Sequence, residues 1–233
     1  MKKILYLFLV SVLFSCGKIS PKGDVESKDV QLQDFKNISL KGKFRVFVVN
    51  SEKSFVNVET YPNFFNNLDI SVKDNTLNIS EKRETKGLGF YSLTIYSRFN
   101  PEKMSVSDSV EVNISGEINT DNFRLNLKNN GKFIGAIRSR KAEISMENTS
   151  LANFKGFTKN AEIKMKDTAN LLAPYWLIDN LNINSKNGTY SEVNVKDSLK
   201  GTIGDTAKFL YYNNPVRAFK IGEKAEVRNE ELK

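Results

Sequence analysis

The residues whose spacing most resembles a repeated chemical group are six Asp or Asn side chains: Asp108, Asn129, Asn148, Asp167, Asn187 and Asp205. A column of such oxygens resembles calcium chemistry, but calcium takes about six to eight oxygens from clustered carboxylates. One such group per repeat falls short, so no metal site is expected. Asn and Asp also tolerate left-handed backbone and hydrogen-bond their own turns, and stacked amides extend ladders. A structural turn column is the expectation. Four nearby spots read Asp-Ser/Thr-apolar, with hydroxyls at Ser109, Thr168, Ser198 and Thr206. They are similar to an O-glycosylation sequon of exported proteins in some gram-negative bacteria, with turn chemistry as the plainer reading of so short a pattern.

Two other chemistries are worth testing against the residues. Polysaccharide cleavage on a β scaffold needs two convergent carboxylates, or acidic metal ligands beside a base. Asp69, Glu81, Glu84, Glu143 and Glu162 are dispersed, and Glu143 and Glu162 hold equivalent outward positions of adjacent repeats beside Lys164 and Lys166. A salt-bridged outer face is expected there. Histidine is absent, which removes the commonest general base. No catalytic residue and no cofactor is assigned. Sugar stacking is the other chemistry, through Tyr175-Trp176, Tyr211-Tyr212 or Phe90-Tyr91. Pro174 breaks the strand before Trp176 and points to a bulged loop, which makes Tyr175 and Trp176 the candidate ligand contact.

These residues sit on a chain that repeats itself. Met104, Phe123, Ala142, Ala161, Leu181 and Leu199 open registers such as FRLNLKNN, AEISMENT, AEIKMKDT and LNINSKNG, each an alternating run followed by a polar turn. Alternation sends Phe123, Leu125 and Leu127 one way and Arg124, Asn126 and Lys128 the other. A second apolar group follows in each register, at Phe133, Leu151, Leu171, Tyr190 and Phe209, with Ile114 as the first. A coil of about nineteen residues cannot bury its apolar face alone, and stacking neighbours covers both that face and the strand edges. The fold class is therefore all-β, a single-stranded parallel β-helix or β-solenoid. Residues 32–100 read as irregular N-terminal strands, 101–215 as the repeats, 216–227 as an end cap and 228–233 as a tail.

The first thirty residues set the cellular context. Lys2 and Lys3 precede the apolar run Ile4–Phe14, which is too short for the roughly twenty residues that cross a bilayer. Residues 1–15 read as a signal peptide. Cys16, the one cysteine, follows Leu13-Phe14-Ser15 in a bacterial lipobox-like pattern, making it the candidate lipidation site. An unlipidated secreted protein with a free thiol is the alternative. The polar residues 16–31 read as a flexible tether. The formal charge is +8 from 35 basic and 27 acidic residues; loss of Lys2 and Lys3 leaves 33 against 27, or +6. Lysines alternate with acidic and polar residues instead of forming a stripe, so nucleic acid is not an expected partner. A weak attraction to anionic headgroups or acidic glycans remains consistent with the charge.

The opening strand Phe44–Val49, the block from Val56-Asn57-Val58-Glu59 through Leu68–Val72 to Leu77-Asn78-Ile79, and Leu93-Thr94-Ile95-Tyr96 carry a family likeness. So do the polar-turn repeats and the closing Leu210-Tyr211-Tyr212-Asn213-Asn214-Pro215. Over residues 32–227 the chain resembles the exported head GIN, or auto-transporter adhesin, family, a domain of unknown function found in bacterial lipoproteins. It departs from the Gly-Ser-Gly turns usual there by using Asn-Thr, Asp-Thr, Asn-Gly and Asn-Asn. The resemblance implies a β-helix with no established catalytic residues. The expectation is a lipid-anchored, non-catalytic binding or adhesion module of the cell envelope, at the outer membrane. Its partners would be the membrane through the N-terminal lipid, a glycan or envelope protein, and a second copy if it self-associates. The alternatives are a carbohydrate-active β-helix enzyme and a self-associating scaffold.

Overall fold

The computed structural model describes residues 17–86 and 90–232. It is nearly all-β, a solenoid of about 7 turns with roughly 19 residues per coil. The N-terminal part contributes β1 (Glu26–Gln31), β2 (Asn37–Gly42), β3 (Arg45–Asn50), β4 (Phe55–Thr60), the helical turn α1 (Pro62–Phe65), β5 (Leu68–Lys73), β6 (Thr76–Glu81) and β7 (Tyr91–Ser97). The stack continues with β8 (Lys103–Asp108), β9 (Glu111–Leu127), β10 (Lys132–Met146), β11 (Leu151–Met165), β12 (Asn170–Ser185) and β13 (Tyr190–Ile203). It ends in β14 (Lys208–Tyr212), β15 (Val216–Ile221) and β16 (Glu226–Glu230).

One coil shows how alternation becomes a corner. In β10, Phe133, Gly135, Ile137 and Ser139 point inward; Arg140 and Lys141 are both exposed and break the period; then Ala142, Ile144 and Met146 point inward again. The doubled outward pair turns the chain, and the next coil lies parallel on it in register. Phe123, Ala142, Ala161, Leu181 and Leu199 thus form one interior column. The first coil departs from this alignment, because Met104 lies beside Leu125, not Phe123. The second column also differs from expectation. It runs Val112, Phe133, Ala152, Leu171, Ser191 and Phe209. Leu151 and Tyr190 pair one place earlier and are only half-buried. A slip of one residue exchanges faces in a strand of period two, so bulk alone misplaces the register.

The N-terminal strands extend the stack out of chain order. β3 lies between β9 and β7, and β2 lies between β8 and β6. Antiparallel strands close that end, β4 on β7 and β1 on β4 along one face and β5 on β6 along the other. The tether expectation is corrected here. Glu26–Gln31 is β1, paired residue for residue with β4, and residues 17–22 are also docked. The Ile19 amide donates to the Glu84 carbonyl at 2.9 Å, and the Lys86 amide donates to the Ile19 carbonyl at 2.7 Å. Backbone pairing needs no apolar side chains, so composition did not reveal it.

The candidate aromatic pair is split. Coil β12 carries one more residue than β11 between Leu172 and Tyr175, and three more than β13 between Ala173 and Leu177, and the register shifts there. The extra residue inverts the alternation after Pro174, leaving Tyr175 67% exposed and Trp176 fully buried. The Trp176 ring stacks on Phe154 at 4.7 Å, which is 4.9 Å from Phe133, itself 6.0 Å from Phe123. Its indole N–H donates to Thr158 Oγ1 at 2.9 Å. Trp176 is therefore core, and the expectation that it contacts ligand is corrected. Trp176→Ala should cost about 3–5 kcal/mol in chemical denaturation, whereas Tyr175→Ala should stay within about 0.5 kcal/mol of the parent.

Candidate binding site

The six turn residues all adopt positive φ, from 54° at Asp205 to 66° at Asp167. Their side chains form one continuous ladder. Asn129 Nδ2 donates to Asp108 Oδ1 at 2.8 Å, and Asn148 Nδ2 to Asn129 Oδ1 at 2.8 Å. Asp167 accepts the Asn148 amide N–H at 3.1 Å and Asn187 Nδ2 at 3.1 Å, and Asp205 accepts the Asn187 amide N–H at 3.1 Å. Amides separate the carboxylates along most of the column. The nearby hydroxyls join the same network: Thr168 and Thr206 donate to the carbonyls of Asn148 and Asn187 one coil back, and Ser198 to Asn180 Oδ1 at 2.7 Å. Ser109, Thr168 and Thr206 are exposed. Cys16 lies outside the described residues.

On the outer face, Glu143 pairs with Arg124 at 2.8 Å and Lys141 at 2.6 Å, and Glu162 with Lys164 at 2.8 Å. The Lys141 and Arg124 hydrogen bonds hold the Glu143 carboxyl down at about 2. A groove of 520 Å³ crosses this face past Lys164, Lys166, Lys186 and Asn184. Two of its lysines are already ion-paired, Lys164 with Glu162 and Lys166 with Glu147 at 2.6 Å.

A different arrangement stands where the ladder runs into the N-terminal end. Gly42 pairs with Asp108 and so occupies the next place in the turn column. It has φ +144°, and a Cβ there would stand 2.7 Å from Glu81 Oε2. The missing side chain is what admits the Glu81 carboxylate. Glu81 follows Leu77 and Ile79 in the alternation of β6, so its parity turns it inward. One oxygen accepts the Lys43 amide N–H at 2.9 Å, and the other accepts the Thr85 hydroxyl at 2.9 Å. Burial is the main cause of a carboxyl pushed above its ordinary range, with hydrogen bonding from Thr85, Lys43 and the neighbouring Tyr91 opposing it and the Asp108 charge adding to it.

Beside Glu81 lies Tyr91, 8% exposed, its ring 5.5 Å from Phe44 and 5.1 Å from Phe64. Its hydroxyl is buried and, among the described residues, has no aligned partner. It is close enough to Glu81 to feel the charge, which with burial pushes its pKa far up. A cavity of 460 Å³ opens over Tyr91, Phe44, Phe64 and Thr85, rimmed by Lys43, Arg45, Glu59, Ser92 and Glu111. The Phe90 ring stands at its edge, 67% exposed, on a backbone held by the Thr60 hydroxyl at 2.9 Å. An apolar floor with a few convergent polar groups is the usual build of a small-molecule site.

The head GIN family, described as "Putative auto-transporter adhesin, head GIN domain", matches residues 34–215. This chain belongs to that family. No curated protein matches it. Solved structures of similar fold include a "putative adhesin" from Bacteroides fragilis NCTC 9343, 17% identical, covering 91% of this chain and all of that one with a TM-score of 0.81. A "putative lipid binding protein" from Parabacteroides distasonis ATCC 8503 is 13% identical over 92% of this chain and all of that one, with a TM-score of 0.75. A "putative adhesin" from the same organism is 16% identical over 92% and 100%, with a TM-score of 0.74. At these identities the likeness shows the shared fold.

The site within this head GIN domain was missed in the sequence because its parts come from different coils. Glu81 was set among dispersed carboxylates and Tyr91 among aromatic pairs. The signal lay in parity: Leu77, Ile79 and then Glu81 point one way, as do Ile38, Leu40 and then Gly42. The pH dependence of stability reports on it. Because folding raises the Glu81 pKa, the folded state holds that proton more tightly than the unfolded state. Its contribution is fully present below the ordinary carboxyl value and is lost as pH rises through the raised one. Glu81→Gln should remove that loss, so parent and variant melting temperatures should diverge across this window, with the variant falling less.

Proposed function

We propose that this protein is an exported, lipid-anchored binding module of the bacterial cell envelope that holds ligands without turning them over. Membership of an adhesin family supports the binding role, and Cys16 after the apolar run Ile4–Phe14 supports the anchor. The observation that carries the reading is the end cavity, whose floor of Phe44, Phe64 and Tyr91 is rimmed by Lys43, Arg45, Glu59 and Glu111 and edged by the exposed Phe90 ring. Both Glu81 oxygens are engaged by Lys43 and Thr85, which fixes the carboxylate as a held acceptor. A free general acid would be aimed at a leaving group.

The fold relatives described as a "putative lipid binding protein" and a "putative adhesin" fit the same outline, a surface module with a non-catalytic contact. The oxygens of Ser109, Thr168, Ser198 and Thr206 are the positions a glycan would occupy if the chain is O-glycosylated in its host. Intact mass from the native host should show peptide from Cys16 plus diacyl or triacyl lipid, and Cys16→Ser should turn salt-resistant membrane association into association that high salt removes. Array binding to glycans or envelope proteins should occur with no reducing ends or unsaturated products formed; product formation would replace this reading with the enzyme.

A further inference from the structure

The N-terminal segment leaves almost no slack between the lipidation site and the folded end of the solenoid. Gly17, the first described residue, presents its carbonyl to Arg83 Nη2 at 2.6 Å. Ile19 then bridges Thr85 in parallel, and Lys18 pairs with Glu84 at 2.8 Å. Further along, the Lys22 amide donates to Asn63 Oδ1 at 3.1 Å while Asn63 Nδ2 donates to the Ser20 carbonyl at 2.8 Å. A chain spans at most about 3.6 Å per residue. The described chain therefore begins already bound to residues 83–86, and any residue before it is reached in steps of that length.

The same end is basic. Residues 17–22 and 82–86 carry Lys18, Lys22, Lys82, Arg83 and Lys86 against the single carboxylate Glu84. All five cations are exposed, and Lys43 stands near enough to Glu84 to lower its pKa further. On the outer face of the coils, by comparison, Arg124 and Lys141 meet Glu143. Phe90, 67% exposed, is the large apolar side chain beside this patch. Basic side chains around an exposed aromatic suit an anionic headgroup layer, in which the ring enters the interface and each cation contributes by charge.

We infer that the N-terminal end of the solenoid is a membrane-docking surface that lies against anionic phospholipid headgroups, with Lys18, Lys22, Lys82, Arg83, Lys86 and Phe90 in contact. This rests on the exported-module reading, but the docking itself needs no acyl chain. The solenoid then stands on the bilayer by this end, and its β15–β16 end projects away by the eight strand spacings from β7 to β16, on the order of 40 Å. The acyl chains would hold the protein at the membrane and the basic end would fix its orientation.

The test uses the chain from residue 16 with Cys16→Ser, which carries every described residue and no lipid. It is sedimented with phosphatidylcholine vesicles with and without phosphatidylglycerol. Binding should require phosphatidylglycerol and vanish at high salt. Lys22→Gln/Lys82→Gln/Lys86→Gln should weaken it more than tenfold, since each cation near such a surface is worth about fivefold. Phe90→Ser should weaken it too. Lys208→Gln/Lys220→Gln/Lys224→Gln, at the opposite end, should leave it unchanged. Lack of binding, equal binding to both vesicles, or an equal loss with the far-end variant would overturn the docking surface. The mass of the native protein reports separately on the anchor, so the two ideas can fail independently.

Discussion

Each coil must come back to the same register on the coil before it, and most of this structure depends on that return. With strands about 4.8 Å apart and side chains alternating between faces, an error of one residue would send an apolar column into water. The left-handed turn residue is the device that closes each coil on time. Its side chain then bonds to the equivalent residue of the neighbouring coil, so Asp108 through Asp205 act as a clasp along one edge. Asn and Asp serve here because both accept positive φ and both carry an oxygen that can be shared between coils. By using them along this column the chain gains a ladder of bonds between its turns.

Where the column reaches Gly42, the clasp gives way to a vacancy, and a carboxylate from another coil fills it. Glu81 can approach only because Gly42 has no Cβ. The local cost is a buried acid, partly offset by an amide and a hydroxyl, next to a tyrosine whose own hydroxyl is left over. Within the repeats some buried polar groups pair across the stack, where Thr158 serves both Ser139 and Trp176 and Ser185 meets Thr189 at 2.5 Å, while the Ser150 and Ser191 hydroxyls stay unpartnered among the described residues.

Cavity and basic patch share that end, and both depend on strands that leave the simple repeat. Because β2 and β3 are inserted between later strands, Gly42 meets Glu81 and Asp108 although 39 and 66 positions separate them in the chain. Because residues 17–22 fold back along residues 83–86, the segment expected to be a tether is instead part of the folded end. The cavity and the basic patch therefore arise from one departure from regularity.

Period and composition in the sequence were enough to determine the solenoid, the inward faces of Phe123, Ala142, Ala161 and Leu199, and the turn column, because these depend on local alternation and local turn chemistry. They also set the salt-bridged outer face, since charges at equivalent positions of adjacent coils must become neighbours. The tertiary structure decided what depends on register and on backbone pairing between distant segments. One extra residue near Pro174 buried Trp176 and exposed Tyr175, an inversion that counting residue types could not reveal. Backbone hydrogen bonds bound a polar segment that has no apolar period. The meeting of Gly42, Glu81 and Tyr91 required an out-of-order stacking of coils, which leaves no trace in any single stretch of sequence.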